Sequence, residues 1–492
     1  MQTIEVQLLS FLLAFAVSLC GCPPALSTPL KGEEKFTFET WSKQKADRYR
    51  GSFSVPENGN KKQSRAIPIK YVRFPATGEQ AGASIVYLAG GPGGSGIAAV
   101  NYRFGMFMAL REYGDVIALD QRGTGASDVL PTCRSGQAIP STIPVSDRRY
   151  IEYHREALRE CLAFWRESGV DLAGYNTVEN ARDLDALRRH LGAGKIVLWG
   201  TSYGSHLALA ALKEMEDRIE KVIISSAEGL HQAVRLPART DAYLERLQTA
   251  INSQPAAREA YPDIEDLMRR VHRKLDREPL PMQMTRRDGS RVDYLLQRRD
   301  MQLIASSFIA DPKSAARLLD FYRTLGRGGK PDFATVPARY FPDAFLKPGE
   351  PISMDAMPTA MDIASGIDAN RKAKIARQAG SSLLKDYLNF SYHYDGIAPE
   401  LDLGQSFRTA PASDVPVLLL SGTLDGRTTL ESQRKAVSGL TELTGVTVEN
   451  AGHNLFMAST EVQQVIDRFM ESRPIKKTSI TVSLPNMAPL NE

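Results

Sequence analysis

LWGTSYGSHLAL, residues Leu198–Leu209, sets a small polar corner between two apolar runs. The run that leads into it, KIVLW (195–199), is short and rich in β-branched and large apolar side chains, as a buried strand is. The run that leaves it, SHLALAALKEM (205–215), reads as a helix. Between them Gly200 and Gly204 bracket Ser202 as G-x-S-x-G. On so sharp a turn, side chains at the flanking positions would strike their neighbours, and the serine is held in a strained backbone at the sheet edge. The helix that follows brings N–H groups and its positive end beneath the hydroxyl, which favours negative charge there. This strand–turn–helix setting predicts that Ser202 is a nucleophile, not an ordinary turn residue.

The same alternation extends to both sides. ASIVYLAGGPGGSG (83–96) is a buried strand that runs into a glycine loop, and DVIALDQRGTGAS (115–127) repeats the design with Asp120 at the strand end. NTVENARDLDALRRHLG (176–192) predicts a helix capped by Asn176 or Thr177, with Val178, Ala181, Leu184, Leu187 and Leu191 on one face and Gly192 as its stop. EKVIISSAEG (220–229) is a further strand. Upstream, two strand-like runs flank Asn58–Asn60 and predict a hairpin. The buried-strand pattern returns at DVPVLLLSGTLDG (414–426) and VTVENAGHN (446–454), and a helix over EVQQVIDRFMESR (461–473) closes it. Residues 231–413 instead carry charged, helix-like stretches such as IEDLMRRVHRKLDRE. The expectation is an α/β fold: a mostly parallel central sheet with helices on both faces. Its core covers 35–230 and 414–472, a large helical cap over 231–413 interrupts it, and 473–492 form a loose tail.

Bulk properties narrow the function. The chain has 492 residues, 42% hydrophobic and 24% charged, with a formal charge of +4 spread along it. Without a basic block, nucleic-acid binding is not expected. The glycine loop lacks a following Gly-Lys-Ser/Thr, which argues against a phosphate cradle. The histidines are scattered and no Cys/His ligand spacing occurs, so neither a metal nor a cofactor is expected.

A serine hydroxyl needs a base. Of the seven histidines, His154, His190 and His272 lie in charged helical stretches and are expected at the surface; His206 is expected to pack or cap; His231 and His393 belong to the insertion. His453 lies in a loop directly after a late apolar strand, where the chain order Ser…Asp/Glu…His puts a base. Asp425, after the strand before it, is then the orienting acid. A tetrahedral intermediate needs N–H donors, and Tyr203, next to the serine, and Gly91, in the early glycine loop, are the candidates for that oxyanion hole.

GGPGGSG, DQRGTGAS, GTSYG, GTLDGRT and AGH, in this order, resemble the α/β-hydrolase peptidases of the prolyl and tripeptidyl aminopeptidase family. DLAGYNTVENARDLDALRRHLG is similar to the segment before the nucleophile in secreted members. The resemblance implies a Ser202–His453–Asp425 triad, an oxyanion hole at Gly91 and Tyr203, and a serine aminopeptidase that acts through an acyl-enzyme. Ala89 stands where prolyl aminopeptidases often carry histidine, which argues against strict proline specificity. The alternatives are a carboxylic-ester hydrolase on the same machinery and a non-catalytic binding protein on the same fold.

The resemblance to aminopeptidases implies a peptide substrate with a free N-terminus. Its ammonium needs a carboxylate once it leaves water. Glu228, just after VIISSA at the ligand edge of the sheet, is the candidate. At the N-terminus, VQLLSFLLAFAVSLCGC matches the apolar part of a secretory signal over 1–22, and its LCGC resembles a lipoprotein signal with a lipid anchor at Cys22. The expected location is outside the cytoplasm: periplasmic, extracellular or lipid-anchored at the cell envelope. In such an oxidising compartment Cys133 and Cys161 are expected to pair.

Overall fold

The computed structural model describes residues 28–489, apart from 80, 232–234, 286–288, 338–340, 342 and 389. The signal expected over 1–22, with Cys22, lies outside the described residues. The strands in chain order are β1 (Glu34–Glu39), β2 (Lys45–Pro56), β3 (Ala66–Phe74), β4 (Ser84–Leu88), β5 (Val116–Leu119), β6 (Cys133–Ala138), β7 (Ile196–Thr201), β8 (Ile219–Ser225), β9 (Leu280–Thr285), β10 (Arg291–Leu296), β11 (Pro351–Met354), β12 (Val417–Gly422), β13 (Leu443–Glu449) and β14 (Ser479–Thr481). Ten of them form one sheet in the order β1-β2-β3-β5-β4-β7-β8-β12-β13-β14.

Burial explains the pairing. β5, β7 and β12 are buried at every position and pair in parallel with their neighbours β4, β8 and β13. A strand covered on both faces has no use for alternation, so it reads as an unbroken apolar run. β2 alternates buried and exposed positions and pairs antiparallel with β1 and β3 at the open end of the sheet. One layer of core holds Trp199, whose ring packs on Tyr87, Phe107 and Phe456. The layer on the other face holds Leu184, Leu187, Leu198 and Leu207, from helix Thr177–His190, β7 and helix Tyr203–Met215. Asn176 caps the first of these helices, its side chain accepting from the Glu179 N–H at 3.0 Å.

Helix Thr177–His190 also presents two acids inward. Arg122, from the turn after β5, is buried and forks onto both carboxylate oxygens of Asp183 at 2.8 and 2.6 Å, with Glu179 3.8 Å away. Its remaining nitrogen, Nη1, donates to the carbonyls of Glu57 and Gly174, both at 2.6 Å. Arg122→Ala strands the Asp183 charge in the core, and urea titration is expected to show a loss of about 3–5 kcal/mol; a loss below about 1 kcal/mol would mean water reaches the acid.

The chain leaves the sheet after β8 and rejoins it at β12. The segment between builds its own core from Tyr243, Leu247, Met268, Ile304, Phe308 and Leu319. It also contains strands that the sequence pattern does not reveal: β9 and β10 form a hairpin, and β11 pairs with β6 of the first core segment. Cys133, opposite Met354 in that ribbon, is disulfide-bonded to Cys161 of helix Asp147–Glu167. The bridge closes 28 residues of sequence separation. By chain entropy, Cys133→Ser with Cys161→Ser is expected to lower unfolding stability by about 3–4 kcal/mol in a denaturant titration.

Two expectations need correction. Residues 473–492 are not a loose tail over their described part. β14 adds to the sheet beside β13, Ile480 and Met487 are fully buried, and Gln254 holds the Pro485 carbonyl and the Met487 N–H at 2.9 and 2.8 Å. Apolar residues spaced along a polar tract were enough to dock it. Nor are the three helical histidines at the surface. His272 is buried and bonds the Tyr322 hydroxyl at 2.7 Å, His190 bonds that of Tyr71 at 3.0 Å and stacks on Phe53, and His154 packs against Tyr150 and Phe390. Their helices are covered on more than one side, so charged neighbours in sequence did not imply a wet face. Among the described residues no helix is long and apolar enough to cross a membrane.

Candidate active site

Ser202 sits between β7 and the helix Tyr203–Met215 with φ 55° and ψ −126°. This left-handed backbone is costly for any residue but glycine and is a mark of functional corners. Both flanking glycines are required. A Cβ on Gly200 would stand 2.5 Å from the Gly204 carbonyl oxygen, and one on Gly204 would stand 2.1 Å from that of Leu88. The Ser202 hydroxyl makes no capping bond to the helix it begins, so it is not engaged in holding the turn.

The early glycine loop lies against the serine. A Cβ built on Gly90 would be 3.3 Å from Ser202 Cβ and 3.9 Å from its Oγ. Gly91 has φ 131°, open only to glycine. The loop is clamped by Asp120, at the end of β5. Its Oδ1 accepts from the Ser95 hydroxyl at 2.6 Å and from the Ile97 N–H at 3.0 Å; its Oδ2 accepts from the Ala126 N–H at 2.8 Å. One buried carboxylate thus joins both glycine-rich turns. Sequence reading placed Asp120 at a strand end without giving it this task; an acid shared by two such turns is the signal it offered.

His453 follows β13 in a loop fixed at both ends of its peptide unit. Its N–H donates to the Ala310 carbonyl at 2.7 Å, and its carbonyl accepts from the Ser226 hydroxyl at 2.8 Å. The neighbouring Ser225 carbonyl accepts from the Ser202 N–H at 3.2 Å. The end of β8 therefore brings the serine and histidine segments to one edge of the sheet. His453 Nδ1 lies 2.9 Å from Asp425 Oδ2. Asp425 is fully buried; its Oδ1 accepts from the backbone N–H groups of Arg427 and Thr428, both at 2.9 Å, and its Oδ2 from the Thr428 hydroxyl at 2.6 Å. Burial alone would raise its pKa, but the charge and hydrogen bond of His453 and the two bonds from Thr428 outweigh it and hold the carboxyl below its ordinary value. Thr428 was not singled out from sequence, although the D-G-R-T turn contains it.

Tyr203 is buried, its ring stacked near His206 and its hydroxyl 3.2 Å from that of Thr177 and 3.0 Å from the Met361 sulfur. Glu228 is buried as well. Its N–H donates to the Ser205 hydroxyl at 2.9 Å, and its carboxylate pairs with Arg235 at 2.7 Å. Among the described residues no cluster of three or more His, Cys, Asp or Glu side chains is arranged to hold a metal ion. The arrangement can polarise a hydroxyl through an oriented imidazole beside backbone donors, which is the equipment of acyl transfer.

A serine protease, Hip1, of Mycobacterium tuberculosis is 31% identical over 191 residues, which are 36% of this chain and 35% of that protein. A tripeptidyl aminopeptidase of Streptomyces lividans is 30% identical over 190 residues, 36% of this chain and 34% of that one. The matched stretch is thus about a third of the length of these relatives. A thermophilic esterase from Thermogutta terrifontis aligns over 85% of this chain and 98% of its own at 16% identity, with a TM-score of 0.34. The family model for the alpha/beta hydrolase fold matches residues 83–460, from β4 through His453 and across the insertion, and the chain belongs to the alpha/beta hydrolase family.

Proposed function

We propose that this hydrolase is an exported serine aminopeptidase, with Ser202 as nucleophile, His453 as general base and acid, and Asp425 as the orienting carboxylate. The observation that carries the reading is the 2.9 Å bond between His453 Nδ1 and Asp425, at the sheet edge where Ser202 sits on its strained turn. With Nδ1 engaged, Nε2 takes the Ser202 proton as Oγ attacks the scissile carbonyl. The N–H groups of Tyr203 and Gly91 hold the resulting oxyanion. His453 then returns the proton to the leaving amine, and water repeats the sequence to free the acyl group. The similarity to a serine protease and a tripeptidyl aminopeptidase supports a peptide bond as the target, and release of N-terminal residues or short peptides as the outcome. The Cys133–Cys161 disulfide supports export, because such bridges persist in oxidising compartments.

The test is a panel of aminoacyl- and tripeptidyl-p-nitroanilides with free N-termini, beside their N-acetylated forms and p-nitrophenyl esters. Selective turnover of the free-amine amides is expected. Turnover of esters alone would replace the peptidase reading by an ester hydrolase, and failure of a fluorophosphonate to label Ser202 would remove the catalytic one.

A further inference from the structure

Helix Ala356–Ser365 of the insertion lies against the glycine loop and Tyr203. Its base is tied down: β11, just before it, pairs with β6, and Asp355 accepts from the Thr132 hydroxyl at 2.8 Å. Pro358 lies on the glycine loop, its Cβ and Cγ 3.3 Å from where a Cβ of Gly93 would stand. Met361 sets its sulfur on the Tyr203 hydroxyl. One helical turn beyond Pro358, and on the same face, is Asp362.

Asp362 differs from the other acid of this cleft. Glu228 holds Arg235 in an ion pair, whereas Asp362 has no ion-pair partner among the described residues. The groups that face it are Glu228, Arg235, Arg427 and the Ser391 hydroxyl. It also adds negative potential at the hydroxyls of Tyr203 and Tyr394. Burial first, and then the Glu228 carboxylate, push the Asp362 carboxyl up to about 7, against the pull of Arg235, Ser391 and Arg427. Arg235 is committed to Glu228 and Arg427 makes no ion pair with Asp362, so this carboxyl has no ion pair of its own among the described residues, and a substrate ammonium with its pKa near 8 can supply one at neutral pH.

We infer that Asp362 receives the substrate's α-ammonium group, with Glu228 facing the same charge, and so decides that a peptide enters by its amino end. This rests on the aminopeptidase reading and deepens it. The ammonium arrives, the Asp362 carboxylate pairs with it, and any proton Asp362 held leaves to solvent. Glu228, the candidate from sequence alone, supplies field and keeps Arg235 in place.

The experiment compares wild type, Asp362→Asn, Asp362→Glu and Glu228→Gln on a free-amine p-nitroanilide and on p-nitrophenyl acetate. Removing one partner of a buried charge pair is worth about 100-fold. In Asp362→Asn, kcat/KM on the amide is expected to fall by at least about that factor more than on the ester, chiefly through KM. Asp362→Glu recovers part of the loss. In wild type the amide-to-ester ratio rises with pH through about 7, as Asp362 ionises, and this rise is absent from Asp362→Asn. The ratio removes the titration of the triad, which both substrates share. Equal losses on both substrates, or a selective loss in Glu228→Gln without one in Asp362→Asn, would overturn the inference and leave the aminopeptidase reading standing. A wild-type enzyme that turns over the ester and no free-amine amide would overturn both.

Discussion

Replacing Ser202 by alanine is expected to lower kcat by about a millionfold, the loss typical when the nucleophile of a coupled triad is removed. What remains is the catalysis of the oxyanion donors and substrate binding, about a thousandfold over water. Stability should hardly change. The hydroxyl caps no helix, and the left-handed backbone at φ 55° is equally strained in serine and alanine. A shift in unfolding free energy within about 0.5 kcal/mol is therefore expected, as for a side chain without structural partners. Steady-state rates on the best amide or ester of the panel, together with a denaturant titration and fluorophosphonate labelling, read all three quantities. Residual activity above about one percent of wild type, with labelling retained, would place the nucleophile elsewhere.

The residues that were legible in sequence share a property: their chemistry is set by local backbone. Gly200 and Gly204 are required because a Cβ at either would run into a carbonyl oxygen within 2.5 Å, and that demand shows as a spacing in the chain. Asp425 closes a turn onto Arg427 and Thr428, two and three residues away, and reads as a turn for that reason. The parallel strands were legible because burial on both faces leaves unbroken apolar runs. What sequence hid depends on distant partners. β6 and β11 pair across more than two hundred residues, and neither alternates strongly enough to announce a strand. Arg122 lies in a glycine-rich turn and Asp183 in a helix, and only the fold reveals them as a buried pair. Asp362 lies in MPTAMDIASG, a stretch without a motif. Its significance comes from the glycine loop, Tyr203 and Glu228, all contributed by the first core segment.

The Ser202 corner and the His453 loop are held at the sheet edge by Ser225, Ser226 and Ala310, and the glycine loop by Asp120, each close to a strand end of the core. Helix Ala356–Ser365, which lies on the glycine loop and Tyr203, is encoded separately and joined to the core by the β6–β11 ribbon. If the proposed function holds, substitutions in helix Ala356–Ser365 are expected to alter which substrates enter without disturbing Ser202, His453 and Asp425.

Asp425→Asn separates the role of the carboxylate's charge from that of its shape, and kcat is expected to fall about ten-thousandfold. The asparagine oxygen can take the place of Oδ1 and keep the N–H groups of Arg427 and Thr428 at 2.9 Å, so the turn survives. Its amide nitrogen then faces His453 Nδ1, where the carboxylate oxygen stood at 2.9 Å. A donor there makes Nδ1 the acceptor and leaves the proton on Nε2, the tautomer that cannot accept from Ser202. The imidazolium formed during the reaction also loses its counter-charge. In wild type the environment holds the Asp425 carboxyl below its ordinary value, so it is ionised across the range of ordinary assays and adds no acid limb of its own to the pH profile. Asp425→Ala, by contrast, leaves the Arg427 and Thr428 N–H groups without their acceptor in a buried turn, at about 1–3 kcal/mol each. Measured kcat and unfolding free energy should therefore part company: Asn loses rate and keeps stability, Ala loses both. An Asn variant within about tenfold of wild-type kcat would show that His453 is oriented by something other than this carboxylate.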